Sequence, residues 1–463
     1  MPLLDSADPR PVHFVGIAGA GMSALAELFV RRGVTVTGCD ANPSGVDDLR
    51  RLGIVVGPHD PAHVQGARAL VVTSAMPKDH PELQRARECG VPVIRRAEAL
   101  GEVTRGRELV GIAGTHGKTT TTVMTTQALA AAGRDPTALV GGRVPEWSGN
   151  LRAGSDRLYV AEADEYDRSF LALTPTVAVV TNIEADHLDI YHGGLADIRA
   201  AFAQFVAPAR TVVLCAEDTG AAAMRLPTGS EVIRYAVADG AGAPDARLVA
   251  RDVTHDSGGT RYLADWDGES LGSVSLAVPG RHNILNSLAA LGAGLALGAP
   301  GAELVRGLGA FRGVERRFQR VGEARGVSIL DDYAHHPTEI TATLAAARGA
   351  FPKRRLVAAF QPHLFSRTRD FAREFATALA AADALYLTEI YPSREQPIEG
   401  VTSSLIEERL APAGGRLAWR GDRRGLAAAI AAGAREGDVV VFMGAGDITR
   451  SGPELLALLE AQR

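Results

Sequence analysis

Gly114-Thr115-His116-Gly117-Lys118-Thr119-Thr120 follows directly on the apolar run Leu109-Val110-Gly111-Ile112-Ala113. A short apolar run that stops at a glycine reads as a buried strand, and the residues from Lys118 onward open a helix. Glycines in such a turn let backbone N–H groups close around phosphate oxygens, and the helix dipole favours the same anion. Lys118 adds a point charge for terminal phosphates, and Thr119 offers a hydroxyl to the accompanying magnesium. The turn is shorter than the standard phosphate loop, because Ile112 stands where that loop has its first glycine and Gly114 opens the turn instead. The stretch Gly114, Thr115, His116, Gly117, Lys118, Thr119 and Thr120 is therefore read as an ATP site.

Working outward, a chain of 463 residues exceeds one core, and roughly two to four domains are expected. The first segment runs to about residue 107. Val12-His13-Phe14-Val15 forms a strand, Gly16-Ile17-Ala18-Gly19-Ala20-Gly21 a turn, and Met22 to Arg32 repeats apolar residues at helical spacing. Val34-Thr35-Val36-Thr37-Gly38 is the next strand, with Asp40 just beyond it. Strand, glycine turn, helix, strand, acid is the order of a dinucleotide-binding fingerprint. A second segment, about 108–311, holds the phosphate loop, alternating strands and helices, and a hairpin-rich stretch between Leu248 and Val278. A third, about 312–463, alternates again. The expected fold is α/β in three domains: Rossmann-like, a central P-loop-type ATPase domain with a parallel sheet, and a second Rossmann-like domain.

Composition narrows the function. The 49 basic and 54 acidic residues leave a net charge of −5, with no nucleic-acid footprint. No apolar run reaches the length of a membrane span and the N-terminus lacks a signal-peptide pattern, so a cytoplasmic protein is expected. Cys39, Cys89 and Cys215 are scattered, form no CxxC and read as reduced structural residues.

Polar clusters follow the apolar runs. Glu162-Ala163-Asp164-Glu165-Tyr166-Asp167 crowds four carboxylates at a strand end, which fits either a cation-binding site or a solvated acidic loop. Asn182-Ile183-Glu184-Ala185-Asp186-His187 leaves another strand, and a lone His is ordinarily structural. In this company His187 is a candidate second metal ligand. His282, Asn283 and Asn286 open a helix and could hydrogen-bond a purine edge, or simply cap that helix. Arg316-Arg317 stands at the second boundary, where a guanidinium could reach a transferring phosphate. Asp331-Asp332-Tyr333-Ala334-His335-His336-Pro337 and Gln361-Pro362-His363, continuing to Arg369, are two further polar strand ends.

In this order the motifs resemble the Mur ligase family, over nearly the whole chain. The resemblance implies an amide-forming ligase that joins L-alanine to the carboxylate of UDP-N-acetylmuramate through an acyl phosphate made from ATP. It implies that domain 1–107 holds the UDP-sugar, with Gly16, Gly19, Gly21, Met22 and Ser23 at the pyrophosphate and Asp40, His59 and Ser74 near the uridine. It further implies that domain 108–311 binds ATP. There Lys118 would sit on the phosphates, Thr119 and Glu162 on one Mg2+, His187 on a second, and His282, Asn283 and Asn286 around the adenine. Arg317 would reach the γ-phosphate. Domain 312–463 would close over ATP through the Asp332 loop and present Arg367 and Arg369 to the substrate side. The resemblance goes with a monomer or weak homodimer that engages neither nucleic acid nor membrane.

Two positions depart from the family pattern. Ala18 replaces the second glycine of the first turn, and Tyr166-Asp167 replaces Ser-Asp after the acidic pair. Tyr166 also resembles the ligase that attaches a recycled murein tripeptide, which is the alternative substrate. A dinucleotide oxidoreductase would leave residues 114–120 unexplained, and a mechanical ATPase would leave the first domain without a purpose. A folate-type amide ligase would have no pyrophosphate for the 16–21 turn.

Overall fold

The computed structural model describes residues 3–43, 46–73, 76–238, 245–256, 259–393 and 395–461. Ser74, expected near the uridine, lies outside the described residues. Three sheets carry the fold. The first contains β1 (Val12–Val15), β2 (Val36–Cys39), β3 (Val55–Gly57), β4 (Ala69–Val72) and β5 (Val93–Arg95). Its order is β3-β2-β1-β4-β5 with every pairing parallel, the Rossmann-like arrangement. The second contains β6 (Glu108–Ala113), β7 (Thr137–Val144), β8 (Gly149–Arg152), β9 (Leu158–Glu162), β10 (Val177–Val180), β11 (Thr211–Cys215), β12 (Glu231–Val237), β13 (Leu248–Asp256), β14 (Gly259–Trp266) and β15 (Glu269–Leu276). Its order is β15-β14-β13-β12-β11-β10-β6-β9-β7-β8. The third, ordered β16-β17-β21-β18-β19-β20, contains β16 (Gln319–Ala324), β17 (Val327–Asp332), β18 (Leu356–Phe360), β19 (Ala384–Thr388), β20 (Leu417–Gly421) and β21 (Val439–Met443). Only β16 runs antiparallel in it.

The central parallel strands, among them Val12–Val15, Val177–Val180, Leu356–Phe360 and Val439–Met443, are buried along their whole length, as a parallel sheet covered on both faces requires. In the third sheet Leu330, Ala358 and Val441 pack into one core, while Ile329, Val357 and Val440 pack into the other. The first sheet divides likewise, with Phe14 and Val71 on one face and Val15, Leu70 and Val72 on the opposite one.

Compactness divides the chain into two units. One comprises residues 1–252, 262–274 and 285–311, and in it the core of the first sheet runs on through Leu139, Tyr159 and Val180 of the second. The other comprises residues 253–261, 275–284 and 312–463. Among the described residues no helix is long and apolar enough to cross a membrane.

Candidate active site

Strand register builds the phosphate-loop region of the first unit. β10 pairs in parallel with β6, setting Val180 opposite Ala113, so the residues leaving both strands emerge side by side. Thr115 N–H donates to the Asn182 carbonyl (3.1 Å), and the Asn182 side chain clamps His116, accepting from its N–H at 2.8 Å and donating to its carbonyl at 3.1 Å. Gly114 (φ +143°) and Gly117 (φ +83°) hold conformations that suit glycine. A Cβ at Gly114 would strike the Thr181 hydroxyl, and one at Gly117 the Asn286 amide. Two loop N–H groups are thus spent on Asn182, while the first N–H groups of the helix from Lys118 onward have no partner within the helix itself.

The helix Lys118–Ala131 buries Thr119, Thr120, Thr121, Thr122, Thr125 and Thr126. It does so by turning hydroxyls inward: Thr122, Thr125 and Thr126 donate to carbonyls four residues back at 2.7–2.9 Å. Thr119 sits in the exposed-donor turn, itself almost buried.

β9 lies on the other side of β6, Glu162 one register step beyond Gly111 opposite Ile112, which delivers the acidic run to the same edge. Lys118 Nζ is held by the Gly114 carbonyl (2.6 Å) and by Glu165 (2.8 and 3.2 Å). Glu162 accepts from Gly141 N–H at 2.6 Å. Burial opposes the charge on Lys118, but Glu165, Asp164 and Glu162 outweigh it and keep the ammonium protonated. Glu165 is buried, and desolvation pushes its carboxyl up to about 7, an effect the lysine offsets only in part. His187, at φ +54°, brings Nε2 to 3.7 Å from Glu165 and stands edge-on to Tyr166 at 5.1 Å. Tyr191, fully buried, donates to the Glu165 carbonyl at 2.7 Å. Lys118, Glu165 and His187 thus form one chain of contacts.

Beside this chain lies a cavity of about 350 Å³ lined by Arg95, Arg96, Asp164, Tyr166, Asp167 and Arg168, among others. Asp167 and Arg168 both hold left-handed backbone (φ +55° and +54°), and Arg95 pairs with Asp167 at 2.9 Å. Arg96 also reaches the first glycine turn, where a Cβ on Gly21 would lie 3.0 Å from its guanidinium. In that turn Gly16 (φ +81°) and Ile17 donate to the Cys39 carbonyl at 2.8 and 3.1 Å. Asp40 accepts from Ala18 N–H at 3.0 Å, and Gly19 caps the helix Ala20–Arg31. Met22 is a buried residue of that helix, and the Ser23 hydroxyl donates back to the Ala20 carbonyl. His59 Nδ1 lies 3.1 Å from Sγ of Cys39, the residue whose carbonyl holds the turn.

In the second unit, Asp332 ends β17 buried, accepting from Phe318 N–H and Ala334 N–H at 2.8 Å each. Burial raises its carboxyl to about 6, against the pull of Arg317. Arg317 lies over the Tyr333 ring at 5.0 Å and 3.9 Å from Glu339. His282 faces the same residues, and burial lowers it to about 4, so it is a neutral imidazole. Asn283 donates to the Pro279 carbonyl at 2.7 Å. Asn286, in the first unit, accepts from Thr121 at 3.2 Å, which ties it to the phosphate-loop helix. Arg367 and Arg369 share the short helix Phe365–Asp370, but Arg367 is buried whereas Arg369 is paired with Asp370 at 2.7 Å.

Three family models match in succession: the Mur ligase family catalytic domain over residues 11–108, the Mur ligase middle domain over 112–294, and the Mur ligase glutamate ligase domain over 316–446. The chain belongs to the Mur ligase family.

Relatives of this Mur ligase include the UDP-N-acetylmuramate–L-alanine ligase of Geobacter sulfurreducens, 42% identical over 98% of both chains. The protein of the same name from Acidothermus cellulolyticus is 45% identical over 94% of this chain and 91% of its own. The crystal structure of the UDP-N-acetylmuramate–alanine ligase of Thermotoga maritima superposes with a TM-score of 0.83 at 29% identity, over 98% of this chain and all of that one. A murein peptide ligase from Psychrobacter arcticus shares the fold, with a TM-score of 0.71 at 24% identity over 97% and 98% of the two chains.

Two residues of this Mur ligase were not assigned from sequence. Glu165 was one of four carboxylates in a run, and only the direction of the chain beyond β9 selects it as the lysine's partner. Asp218 accepts from Ile183 N–H at 3.0 Å and so fixes the loop that ends in His187, from 31 residues further along the chain; no local pattern marks it.

Proposed function

We infer that this Mur ligase joins L-alanine to the carboxylate of UDP-N-acetylmuramate with hydrolysis of ATP to ADP and phosphate, a step in peptidoglycan precursor synthesis. The observation that carries this reading is near full-length identity to alanine ligases, which favours L-alanine over the tripeptide that Tyr166 raised. We place the reaction in the cytoplasm, where ATP and nucleotide sugars are made.

A carboxylate is a poor electrophile. Its oxygen attacks the γ-phosphorus of ATP and ADP leaves, giving an acyl phosphate. The free amine of alanine then attacks the acyl carbon, loses a proton, and phosphate departs. Lys118 is the group poised for the terminal phosphates, and Glu165 sets where its ammonium lies. By family resemblance we assign Arg317 and Asp332 to the nucleotide, with neutral His282 suited to a purine hydrogen bond, and Arg367 and Arg369 to the substrate. The 16–21 turn takes the pyrophosphate, helped by Arg96, and the cavity beside Tyr166 takes the sugar's acyl end.

The hydroxyl of Thr119 and the carboxylate of Glu162 are hard oxygen donors that suit Mg2+, and His187 offers a second position beside Glu165. Bound there, magnesium neutralises phosphate charge. Labelling the UDP-N-acetylmuramate carboxylate with 18O tests the route. One label should appear in released phosphate, only when ATP is present, and phosphate release should require both the sugar nucleotide and L-alanine. Release that answers to the murein tripeptide instead would overturn the substrate assignment.

A further inference from the structure

On the face of the first sheet packed by Val15, Leu70, Val72 and Leu83, four potential ligands from four separate elements converge. His13 comes from β1, Cys39 from the end of β2, His63 from the turn Pro61–Val64, and Glu82 from the first turn of the helix Pro81–Cys89. Cys39 Sγ lies 3.2 Å from both Glu82 oxygens and 3.4 Å from His13 Nε2. His13 Nε2 is 3.5 Å from Glu82 Oε2, and His63 Nδ1 is 3.3 Å from Glu82 Oε1.

A tetrahedral zinc site with metal–ligand bonds of about 2.0–2.3 Å has edges of about 3.3–3.6 Å; the separations above lie close to that range, and all four ligand atoms lie within 4.8 Å of one another, near enough to close on one ion. The outer contacts also fit. His13 Nδ1 is engaged by Thr37 Oγ1 at 2.8 Å, which orients the ring and leaves Nε2 for the cluster. Asp60 N–H donates to Glu82 Oε1 at 2.8 Å, and His59 Nδ1 lies 3.1 Å from the sulfur and 4.0 Å from Glu82 Oε1. His13, Cys39 and Glu82 are almost wholly buried. A carboxylate buried among a thiol and imidazoles is costly unless a cation is shared among them.

We propose that His13, Cys39, His63 and Glu82 bind one Zn2+ as a structural site, separate from the nucleotide chemistry. The Cys39 carbonyl holds Gly16 and Ile17, so the metal fixes the strand end on which the first glycine turn hangs. Binding converts the Cys39 thiol to a zinc-bound thiolate and releases its proton to solvent.

The test uses the full-length enzyme stripped of metal with a chelator and titrated with Co2+ as a spectroscopic probe. One equivalent should give a sulfur-to-cobalt charge-transfer band and the intense visible bands of a tetrahedral ion, and Zn2+ should displace both. Cys39→Ser should abolish the charge-transfer band, while Cys89→Ser and Cys215→Ser keep it. Against a chromophoric chelator, Cys39→Ser should weaken Zn2+ by at least about a hundredfold, beyond the roughly 10–100-fold that loss of an outer hydrogen bond costs. If Cys39→Ser misfolds by circular dichroism, His63→Gln decides, because His63 is partly exposed and should fold yet bind Zn2+ at least about tenfold more weakly. Absence of a sulfur band in the folded wild type, its survival in Cys39→Ser, or unchanged Zn2+ affinity in His63→Gln would overturn the proposal.

Discussion

The first unit contains two glycine turns built on one plan. Each follows a parallel strand, opens with a glycine at positive φ and delivers a helix, yet the two are stabilised differently. The 16–21 turn is held by the neighbouring strand end, through the Cys39 carbonyl and the Asp40 carboxylate, and the cation beside it, Arg96, comes from outside the turn. The 114–117 turn is clamped by Asn182 and followed by Lys118, whose charge is balanced by a carboxylate that burial lifts toward neutrality. A turn that only holds a pyrophosphate needs shape and donors. A turn where phosphate is transferred also needs a cation whose position does not drift as charge develops.

The largest break in this comparison should come from Lys118→Ala. Ligation, read as phosphate release, should fall by on the order of 10³-fold with the fold intact by circular dichroism. Gly117→Ala should follow, lowering turnover by about 10²-fold, since its Cβ meets the Asn286 amide at a φ of +83°. Gly19→Ala, at φ −63° with its nearest neighbour 3.6 Å from the new carbon, should change turnover less than about threefold. Asp40→Ala frees the Ala18 N–H and should raise KM for the sugar nucleotide about tenfold with kcat little changed.

The smallest effect concerns pH. Glu165 titrates near 7 when folded against 4.5 in its ordinary range, so between those values the folded chain binds the extra proton. Its contribution to stability therefore falls as pH rises from 4.5 through about 7. Urea midpoints of Glu165→Gln and the parent should diverge in the variant's favour between about pH 5 and about pH 8. A constant offset across that window would mean that Glu165 is ionised throughout.

Much of this was legible because it is local. Apolar runs ending in glycine announce parallel strands, and Gly114 to Thr120 announces a phosphate loop without any tertiary information. What sequence could not decide is direction at a strand end: Glu162 and Glu165 are equivalent carboxylates until the backbone beyond β9 turns one to Gly141 and the other to Lys118. Nor could spacing reveal His13, Cys39, His63 and Glu82, because four elements contribute one ligand each and no pair mimics a metal motif. The three scattered cysteines, read as reduced structural residues, are all free, and its three-dimensional company is what distinguishes Cys39 from Cys89 and Cys215. Asn286, read as a purine contact or a helix cap, also accepts from Thr121 near Gly117, a long-range contact that no window around residue 286 contains.

The division of labour between the two turns is open to calorimetric titration of UDP-N-acetylmuramate and of a non-hydrolysable ATP analogue into Lys118→Ala and Asp40→Ala. Lys118→Ala should weaken only the ATP analogue and Asp40→Ala only the sugar nucleotide. Equal losses of both ligands in either variant, or the reverse pairing, would contradict the assignment of ATP to the 114–117 turn and of the UDP-sugar to the 16–21 turn.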